Sequence, residues 1–304
     1  MKLLISILGP TCIGKTSISI KLAKFFKTEI ISCDSRQFYK ELTIGTSCPS
    51  KSQLKIIKHH FINHKSIFSN YNVYNYEKDV IKKLKLLYNI YNIIILVGGS
   101  FLYEKAIIEG LDQLPEIKDK KKIFLFRKML NKKNDNYLLN KIKKKDYKFY
   151  EKYLTNKKDR RKIIRALEVN YFTQKRISSF FKKKHKIKRP FNNFIRIGLI
   201  DKREIIYNNI NKNVDNMIRK GLFNEANRLY KYKHLNSLNT IGYKEFFNKT
   251  KRDTIYNIID KIKKNTRNYA KRQIIWLRKI KNITWFNPSN FKKIKKFIID
   301  KIKK

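Results

Sequence analysis

Gly9-Pro10-Thr11-Cys12-Ile13-Gly14-Lys15-Thr16 has the residue types and the spacing of a phosphate-binding loop, or P-loop. The loop follows a short apolar segment, Leu3 to Leu8, that predicts a strand, and it precedes a segment from Ser17 to Phe26 that predicts a helix. In that context the glycines let backbone N–H groups turn inward around phosphate oxygens, and the helix N-terminus favours negative charge. Lys15 supplies a positive charge, and the Thr16 hydroxyl is placed to bind Mg²⁺. The stretch therefore predicts a diphosphate site at the end of the first strand.

Two further apolar segments, Ile30–Ser32 and Ile93–Val97, predict buried parallel strands with helices between them. The second segment ends in Gly98-Gly99-Ser100, at the edge where parallel sheets usually place their ligands. A helix from Phe101 to Glu109 follows. Strand character resumes from Phe194 to Ile200, and from residue 203 onward the pattern predicts helices to the end of the chain.

Residues 116–190 differ from the rest of the chain. They are rich in lysine, lack strand patterns and show helical periodicity wherever a period is visible. We therefore expect an α/β fold with a P-loop NTPase-like core, in which a parallel sheet is flanked by helices. Residues 1–115 and 191–304 would form this core, and a helical insertion domain at 116–190 would interrupt it.

The composition favours a protein of the reducing cytoplasm. The chain contains no apolar run of about twenty residues, so we expect no membrane-spanning helix. The N-terminus leads directly into the first strand, without the pattern of a targeting segment. The three cysteines, Cys12, Cys33 and Cys48, share no metal-ligand spacing and do not suggest a disulfide set.

The formal net charge of +50 indicates a polyanionic partner such as a nucleic acid. Lysine, asparagine, isoleucine, tyrosine and phenylalanine are all abundant, however, and these are the residues that the codons of an A+T-rich genome produce whatever the function. The charge therefore supports nucleic-acid binding in general and identifies no particular nucleic acid.

A P-loop most often belongs to a protein that binds ATP or GTP, and such enzymes usually carry an acidic residue at the end of a second core strand. Here the strand Ile93–Val97 is followed by Gly98-Gly99-Ser100, without a carboxylate. The best acidic candidate is Asp34, just after the strand Ile30–Ser32. A carboxylate there is placed to act as a general base. It could equally cap the following helix or orient a metal-bound water, and spacing does not decide between these roles.

Several segments, in the right order along most of the chain, resemble the bacterial tRNA dimethylallyltransferases, also called tRNA isopentenyl transferases. The matching segments are Gly9–Thr16, Asp34-Ser35-Arg36-Gln37-Phe38-Tyr39, Ile44-Gly45-Thr46, His59-His60-Phe61, Val97–Tyr103, Arg165-Ala166-Leu167-Glu168-Val169, Asn239–Glu245 and Thr266–Gln273. Such an ordered set is far more specific than any one motif.

The resemblance implies transfer of a dimethylallyl group from dimethylallyl diphosphate to N6 of adenosine 37, beside the anticodon of tRNAs that read codons beginning with U. It implies Mg²⁺ as the cofactor, bound at Thr16, and the anticodon stem-loop of tRNA as the partner. The hydrocarbon tail of the donor needs an apolar slot. Since this transfer does not require an activated water, the absence of a carboxylate after the strand Ile93–Val97 is expected. We expect a cytoplasmic monomer.

The resemblance also implies roles for individual residues. The diphosphate would be held by Gly9, Pro10, Thr11, Cys12, Ile13, Gly14, Lys15, Thr16 and Lys244. Lys15 and Mg²⁺ on Thr16 would neutralise the departing oxygens. Asp34 would accept the proton of the adenine amino group, and Ser35, Arg36 and Gln37 would grip the splayed nucleotide. Gln37 either reads an adenine edge or is only a polar residue on a helix surface.

Further tRNA contacts follow from the same resemblance, at Ser100, Lys122, Arg161, Lys162, Arg165, Arg267, Lys271 and Arg272. Ser100 either contacts the target nucleotide, which we favour, or caps a helix. Arg165 and its basic neighbours are expected to meet phosphates of the anticodon stem, which position the RNA without reading its sequence. Arg267, Lys271 and Arg272 either face phosphates or only lie on the solvated surface of a helix. The resemblance favours contact with phosphates. Glu168 is expected to be an ion-pair partner rather than a catalyst.

The chain departs from the family pattern at several basic positions. Lys162 stands where relatives usually have arginine, and Lys122 likewise replaces a basic RNA contact, so both keep the charge and lose the planar two-pronged geometry. Lys244 stands where many relatives have an arginine. Asn209 and Asn213 stand where relatives usually place arginines, which brings into question any diphosphate or RNA contact from that helix.

Two pairs of residues are interpreted as structural. His59 and His60 are expected to form a hydrogen-bonded pair at a strand end, with a metal role left open. Trp276 and Trp285 are expected to be core residues rather than platforms on which bases stack.

Three rival functions remain at this point. A relative that prenylates free adenine nucleotides would not need the insertion, its Arg165 helix or the basic charge. A P-loop small-molecule kinase would turn over a nucleoside triphosphate, and the missing carboxylate counts against it. An RNA-binding protein that has lost catalysis would not need Lys15, Thr16 and Asp34, which are all present.

Overall fold

A computed structural model describes residues 1–112, 114–115, 117, 119–155, 159–181, 188–250 and 252–303. Within them, six strands form one parallel sheet in the order β3-β2-β4-β1-β5-β6. The strands are β1 (Leu3–Leu8), β2 (Ile30–Ser32), β3 (His59–His60), β4 (Ile93–Gly98), β5 (Asn193–Leu199) and β6 (Ile283–Phe286). The expected α/β fold with a parallel sheet flanked by helices is confirmed.

Helices connect the strands and form the rest of the described chain. The α-helices are α1 (Lys15–Phe25), α2 (Lys51–Ile56), α3 (Val73–Leu87), α4 (Phe101–Ile108), α5 (Lys120–Asn131), α6 (Asp135–Lys145), α7 (Tyr147–Tyr153), α8 (Arg160–Thr173), α9 (Arg203–Arg219), α10 (Leu222–Leu229), α11 (Lys244–Phe247), α12 (Ile255–Leu277) and α13 (Phe291–Lys303). Short 3₁₀ turns lie at Ile177–Phe180, Tyr230–Tyr232 and Asn236–Leu238. No helix in the described ranges is both long and apolar enough to cross a membrane.

The central strand β1 is buried along its whole length, because β4 and β5 pair with it on its two sides. Its apolar run is therefore typical of a parallel strand covered on both faces. The main core contains Leu3, Ile5 and Ile7 together with residues of α1, α9 and α12. This packing holds the P-loop, which begins directly after Leu8, at the end of a strand that is buried and paired on both sides.

The sequence-based expectation of helices from residue 203 to the end is wrong at β6. Ile283–Phe286 forms the sixth strand, at the edge of the sheet, and pairs with β5 from Arg196↔Ile283 to Leu199↔Phe286. The segment has only four residues, all half-buried, so its apolar pattern is too short to reveal a strand. It is a strand because β5 offers an open edge, and that edge is known only from the tertiary structure.

Trp276 is not a core residue, contrary to the expectation. Its side chain lies on the surface of α12 and is 51% exposed. Trp285, on β6, is half-buried and packs against a small apolar cluster that includes Leu8 and Leu277. Composition favours burial of tryptophan on average, and only the packing of α12 decides which side of the helix is covered.

The described chain divides into two compact units. We call Met1–Glu109 with Lys188–Lys304 the core unit, and Gly110–Ile187 the insertion unit. The insertion unit contains α5 to α8 and no strand among its described residues, and its own apolar core includes Leu138, Ile142 and Ile163. The helical insertion predicted from the sequence spans 116–190.

The histidine pair forms the edge strand β3. His60 Nε2 lies 2.6 Å from a carboxylate oxygen of Glu29, and His59 Nδ1 lies 2.8 Å from the carbonyl oxygen of Ile57. No cluster of three or more His, Cys, Asp or Glu side chains that could hold a metal ion occurs in the described part of the chain. The hydrogen bonds fit the structural interpretation of both residues.

His64 is a further histidine next to this edge, and its ring is enclosed by Phe38, Phe61 and Tyr71 in edge-on contacts. Neither ring nitrogen has a hydrogen-bond partner. Burial, with a contribution from the positive charge of Lys65, lowers the pKa of His64 to about 4. The folded protein therefore favours the neutral form of the His64 ring.

We expect the free energy of unfolding to fall as the pH drops from about 6.5 to about 4. In that window the unfolded chain binds a proton at His64 that the folded chain does not, so protonation favours unfolding. His64→Phe keeps an aromatic ring and removes this titration. It should flatten the pH dependence by about 2 kcal/mol, less than the ~3 kcal/mol of the full pKa change because solvent screens the half-buried ring. Urea unfolding at several pH values measures the effect. An equally steep pH dependence in the variant would contradict this role of His64.

Candidate active site

The functional side chains meet at the carboxyl ends of β1, β2 and β4. A cavity of about 860 Å³ lies in the core unit at this edge of the sheet. It is lined by residues of the P-loop, the Asp34 turn, residues 43–51 and one face of α9. Its charged lining residues are Lys15, Asp34, Lys51, Lys212 and Lys220. The excess of positive charge favours an anionic ligand.

The P-loop has the backbone conformation that its glycines predict. Gly14 has a φ of 93° and precedes the first residue of α1, where a side chain would be strained. Cys12 also has a positive φ, of 61°. These turns direct the loop toward the N-terminus of α1, so backbone donors and the helix dipole face the same space.

Lys15 closes over its own loop. Its ammonium donates to the carbonyl oxygens of Gly9 at 3.0 Å and Pro10 at 2.7 Å. Burial lowers the pKa of Lys15, and the negative charge of Asp34 opposes that shift. Lys15 and Asp34, two of the three predicted catalytic residues with Thr16, are therefore close enough to influence each other electrostatically. Thr16, the predicted Mg²⁺ ligand, lies beside Lys15 in the lining of the same cavity.

Asp34 lies in a turn directly after β2 and lines the cavity. One carboxylate oxygen accepts a hydrogen bond from the backbone N–H of Arg36 at 3.1 Å. Residues 35–38 form a turn and not an α-helix, so Asp34 does not cap a helix. The second carboxylate oxygen remains for a ligand in the cavity, which is the arrangement that a proton acceptor needs.

Close approach of two strand ends places Asp34 beside the Gly98-Gly99-Ser100 turn. The backbone N–H of Cys33 donates to the carbonyl oxygen of Val97 at 2.7 Å. A Cβ atom at Gly98 would lie 2.5 Å from the carbonyl oxygen of Cys33, so only glycine allows this approach. Ser100 Oγ then lies 3.5 Å from Ser35 Oγ, and it accepts a weak hydrogen bond from the Ser35 N–H at 3.4 Å. Ser100 precedes α4 and makes no side-chain capping bond.

Arg36 and Gln37 are engaged by neighbouring loops. Arg36 donates to the carbonyl oxygens of Asn236 and Ser237, both at 3.3 Å. The Gln37 amide accepts from Ser32 Oγ at 3.2 Å and donates to the carbonyl oxygen of Ser47 at 3.2 Å. Gln37 therefore stabilises the cavity wall in this structure, a role that neither sequence-based interpretation included.

Glu225, on α10, holds the segment 43–45 of the cavity wall and was not identified from the sequence. Its carboxylate is 2% exposed. It accepts from the Thr43 hydroxyl at 2.6 Å, from the N–H groups of Ile44 and Gly45 at 3.1 and 3.2 Å, and from the Tyr243 hydroxyl at 2.5 Å. The sequence does not predict these contacts, because a single glutamate on an amphipathic helix belongs to no recognisable motif.

Gln273, on α12, joins two functional loops that lie far apart in sequence. Its side-chain oxygen accepts from the N–H of Thr11 in the P-loop at 2.9 Å, and its nitrogen donates to the carbonyl oxygen of Gly99 at 2.8 Å. The side chain is 6% exposed. Gln273 belongs to a segment that matches the family, but the sequence alone assigned it no role.

The helix α9 presents polar side chains to the cavity at helical spacing, namely Asn209, Lys212, Asn213, Asn216 and Lys220. Asn213 donates to Ser47 Oγ at 3.0 Å. Lys212 and Lys220 are exposed cations on this face. The two asparagines that replace the expected arginines are therefore accompanied by lysines on the same side of the helix.

Other predicted site residues of the core unit lie outside the cavity lining. The Lys244 ammonium is 3.9 Å from a carboxylate oxygen of Glu245. Arg267 donates to the side-chain oxygen of Asn211 at 2.8 Å. Lys271 and Arg272 are exposed on α12. The structure does not bring these four cations together with Lys15.

In the insertion unit, Glu168 forms ion pairs with Arg127, at 2.5 Å, and with Arg165. Its carboxylate is buried, which fits the expected ion-pair role. Arg161, Lys162 and Lys122 are exposed. Lys162 lies 3.8 Å from Asp159, and Lys122 lies 3.7 Å from Asp119.

The cavity also has an apolar part. Its lining includes Ile13, Ile44, Leu54, Ile62, Val97 and Met217. Cys48 lies among them, and burial raises the pKa of its thiol to about 12, so the thiol is neutral at physiological pH. A phosphate loop beside an apolar wall can hold a diphosphate with a hydrocarbon tail, and Asp34 can receive a proton from an acceptor group.

The fold is an α/β fold with a parallel sheet, and its cavity brings the loop Thr11–Thr16 together with the carboxylate of Asp34. The family model described as IPP transferase matches residues 37–280. The chain belongs to the IPP transferase family.

Curated relatives match nearly the whole chain. The tRNA dimethylallyltransferase of Christiangramia forsetii is 48% identical over 98% of this chain and 98% of its own length. That of Flavobacterium johnsoniae is 43% identical over 100% of this chain and 99% of its own length.

Two solved structures are also similar. The full-length tRNA isopentenylpyrophosphate transferase of Bacillus halodurans matches with a TM-score of 0.72 and 31% identity, over 100% of this chain and 97% of its own. A eukaryotic dimethylallyltransferase described as acting on tRNA matches with a TM-score of 0.78 and 28% identity, over 94% of this chain and 74% of its own.

We expect Gln273→Leu to lower the free energy of unfolding. The change leaves the Thr11 N–H and the Gly99 carbonyl without partners, at a cost of about 1–3 kcal/mol for each group that stays buried. Gln273→Glu should also be destabilising at neutral pH, because one carboxylate oxygen still accepts from Thr11 while the other, which cannot donate, faces the Gly99 carbonyl oxygen. Urea unfolding of the three proteins gives the order. If the leucine variant were as stable as the parent, the bridge would not contribute to stability.

Proposed function

We propose that the chain transfers a dimethylallyl group from dimethylallyl diphosphate to N6 of adenosine 37 in tRNAs that read codons beginning with U. The observation that carries the proposal is the shared cavity: the P-loop, Asp34 and an apolar wall surround one space. Membership in the IPP transferase family supports the same reaction. The tRNA dimethylallyltransferases that resemble the chain do so over nearly their full length.

The donor diphosphate binds to the P-loop. Backbone N–H groups at the N-terminus of α1, the Thr11 hydroxyl and the Lys15 ammonium surround its oxygens. Lys15 exchanges its hydrogen bonds to Gly9 and Pro10 for bonds to the ligand. The dimethylallyl tail lies against the apolar wall that includes Ile44 and Met217. Lys244 is a further candidate contact.

The residues present fit a Mg²⁺ ion. Mg²⁺ needs only one or two protein oxygens when phosphates and waters supply the other ligands. Thr16 is the second residue of α1 and lines the cavity, so its hydroxyl can supply one such oxygen. When bound, Mg²⁺ would stabilise negative charge on the leaving diphosphate.

Transfer breaks the bond between the allylic carbon and the diphosphate oxygen, and forms a bond between that carbon and adenine N6. Inorganic diphosphate leaves with the electron pair of the broken bond. The amino proton passes to the free carboxylate oxygen of Asp34. Because the adenine amine is a weak nucleophile, holding it beside the allylic carbon contributes more than basicity.

The acceptor nucleotide is held at the Asp34 turn. Ser35 and Ser100 lie side by side there, and Arg36 and Gln37 follow in the same turn. To contact the nucleotide, Arg36 and Gln37 must exchange the loop carbonyls that they now bind. Unstacking the target base costs a few kcal/mol, which these contacts offset.

The remaining cations bind the RNA backbone. In the core unit these are Arg267, Lys271 and Arg272. In the insertion unit they are Lys122, Arg161, Lys162 and Arg165. Phosphate contacts of this kind position the RNA without reading its sequence. We further propose that the protein is a monomer of the cytoplasm.

Asp34→Asn should reduce kcat for dimethylallyl transfer about 10²–10⁴-fold, because the amide cannot accept the proton. The assay follows radiolabel from dimethylallyl diphosphate into unmodified tRNA that carries adenosine 37, with Mg²⁺ present. Asp300→Asn, an exposed carboxylate on α13, is the matched control and should keep full activity. Equal activity of the two variants would overturn the role of Asp34.

The same assay separates the rival functions. Label on free AMP rather than on tRNA would favour a nucleotide-prenylating enzyme. Turnover of ATP without label transfer would favour a kinase. Binding of tRNA without any transfer would favour an RNA-binding protein that has lost catalysis.

Lys212→Ala should raise KM for dimethylallyl diphosphate severalfold and leave kcat nearly unchanged. Lys212 adds positive potential to the cavity wall without touching the reacting atoms. The increase should shrink at high salt, since the side chain is exposed. Lys292→Ala on α13 is the control of equal charge. If KM in both variants equalled that of the parent protein, Lys212 on α9 would have no role in diphosphate binding.

A further inference from the structure

An exposed aromatic surface lies beside the proposed acceptor site. The Trp276 ring stacks on Phe101, with ring centroids 6.2 Å apart and planes 25° from parallel. Trp276 is 51% exposed and the neighbouring Leu102 is 52% exposed. The Lys279 ammonium lies 5.3 Å from the centroid of the Trp276 ring. We call Phe101 and Trp276 the aromatic platform.

One face of α12 connects the platform to the acceptor site. Tyr269, Gln273 and Trp276 are spaced by four and three residues, so they lie on the same side of the helix. Along the chain segment that they contact, Gln273 donates to the carbonyl oxygen of Gly99, and Trp276 stacks on Phe101. The platform therefore begins at the residue that follows Ser100.

The chain segment that carries Trp276 has only basic charged residues. The segment from residue 261 to 299 contains no aspartate or glutamate. Lys271, Arg272 and Lys279 are exposed on the same stretch of chain as Trp276. An exposed indole beside cations, with no nearby acid in its own segment, suits a ligand that has both a flat aromatic face and negative charge. An unpaired nucleotide has both.

We propose that the aromatic platform stacks an unpaired nucleobase of the bound RNA, a neighbour of the acceptor adenosine in the anticodon loop. Lys279 and Arg272 would bind the phosphates of that nucleotide. Stacking there would hold the loop in its opened form after the acceptor base has left its stack. This inference rests on the proposed function, because the platform is placed relative to the acceptor site.

Fluorescence tests the platform without changing it. The chain has two tryptophans, so Trp285→Phe leaves Trp276 as the single tryptophan. We expect its emission to be quenched when an anticodon stem-loop RNA is added, because stacking brings a base against the indole. A fully paired RNA duplex of the same length has similar charge and no loop, and should quench much less. Equal quenching by both RNAs, or none by either, would overturn the proposal.

Substitution gives an independent readout. Trp276→Ala should weaken binding of the stem-loop about tenfold, as expected for the loss of one base-stacking contact. Trp276→Phe should restore most of the affinity, since it keeps an aromatic face. Tyr256→Ala is the matched control: Tyr256 is 76% exposed near the other end of α12, and its loss should have little effect. Equal losses from Trp276→Ala and Tyr256→Ala would overturn the platform.

The transfer assay distinguishes a failure of the proposed function from a failure of the aromatic platform. If the parent protein transfers no label to tRNA, the proposed function fails. If it transfers label and the Trp276 variants bind and react like the parent, only the platform fails. Quenching by an added protein rather than by the stem-loop would assign the surface to a protein partner and would also overturn the proposal.

Discussion

The contact between Gly98 and Cys33 is the constraint on which the site depends. Parallel strands bring their carboxyl ends to the same edge of a sheet. Here the chain after β2 lies so close to the end of β4 that a Cβ atom at Gly98 would be 2.5 Å from the carbonyl oxygen of Cys33. This approach brings Ser35, in the Asp34 turn, against Ser100, while β1 places the P-loop at the same edge. The sheet thereby fixes the spacing between the positions proposed for the donor and the acceptor.

Loops at such an edge leave backbone N–H and carbonyl groups that no strand can pair. In this protein, buried side chains from the C-terminal half supply the partners. Glu225 accepts from two consecutive N–H groups of the segment 43–45, and Gln273 joins the P-loop to Gly99. Both side chains come from helices more than 150 residues after the loops that they hold. The two halves of the core unit therefore form the site together.

The strong positive charge has a structural explanation as well as a functional one. Several of the few acidic side chains are engaged in the interior, as in the pairs Arg196–Glu104 and Arg189–Glu77. Each of these pairs buries one acid together with one arginine, so it leaves the net charge of the surface unchanged and lowers the number of acids exposed there. A surface of this kind attracts RNA from a distance and relies on local shape and stacking for specificity.

The sequence by itself determined the α/β class, the P-loop, the two strands after it and the position of Asp34, because these features depend on local periodicity and on motif spacing. It also marked the segment that contains Gln273 through a family resemblance. The tertiary structure alone decided that Ile283–Phe286 is a strand, that Trp276 is exposed, and that Gln37 and Glu225 hold the cavity wall. Each of these depends on which surface or backbone group a distant segment presents, and such long-range pairing leaves no periodic signal in the residues that take part.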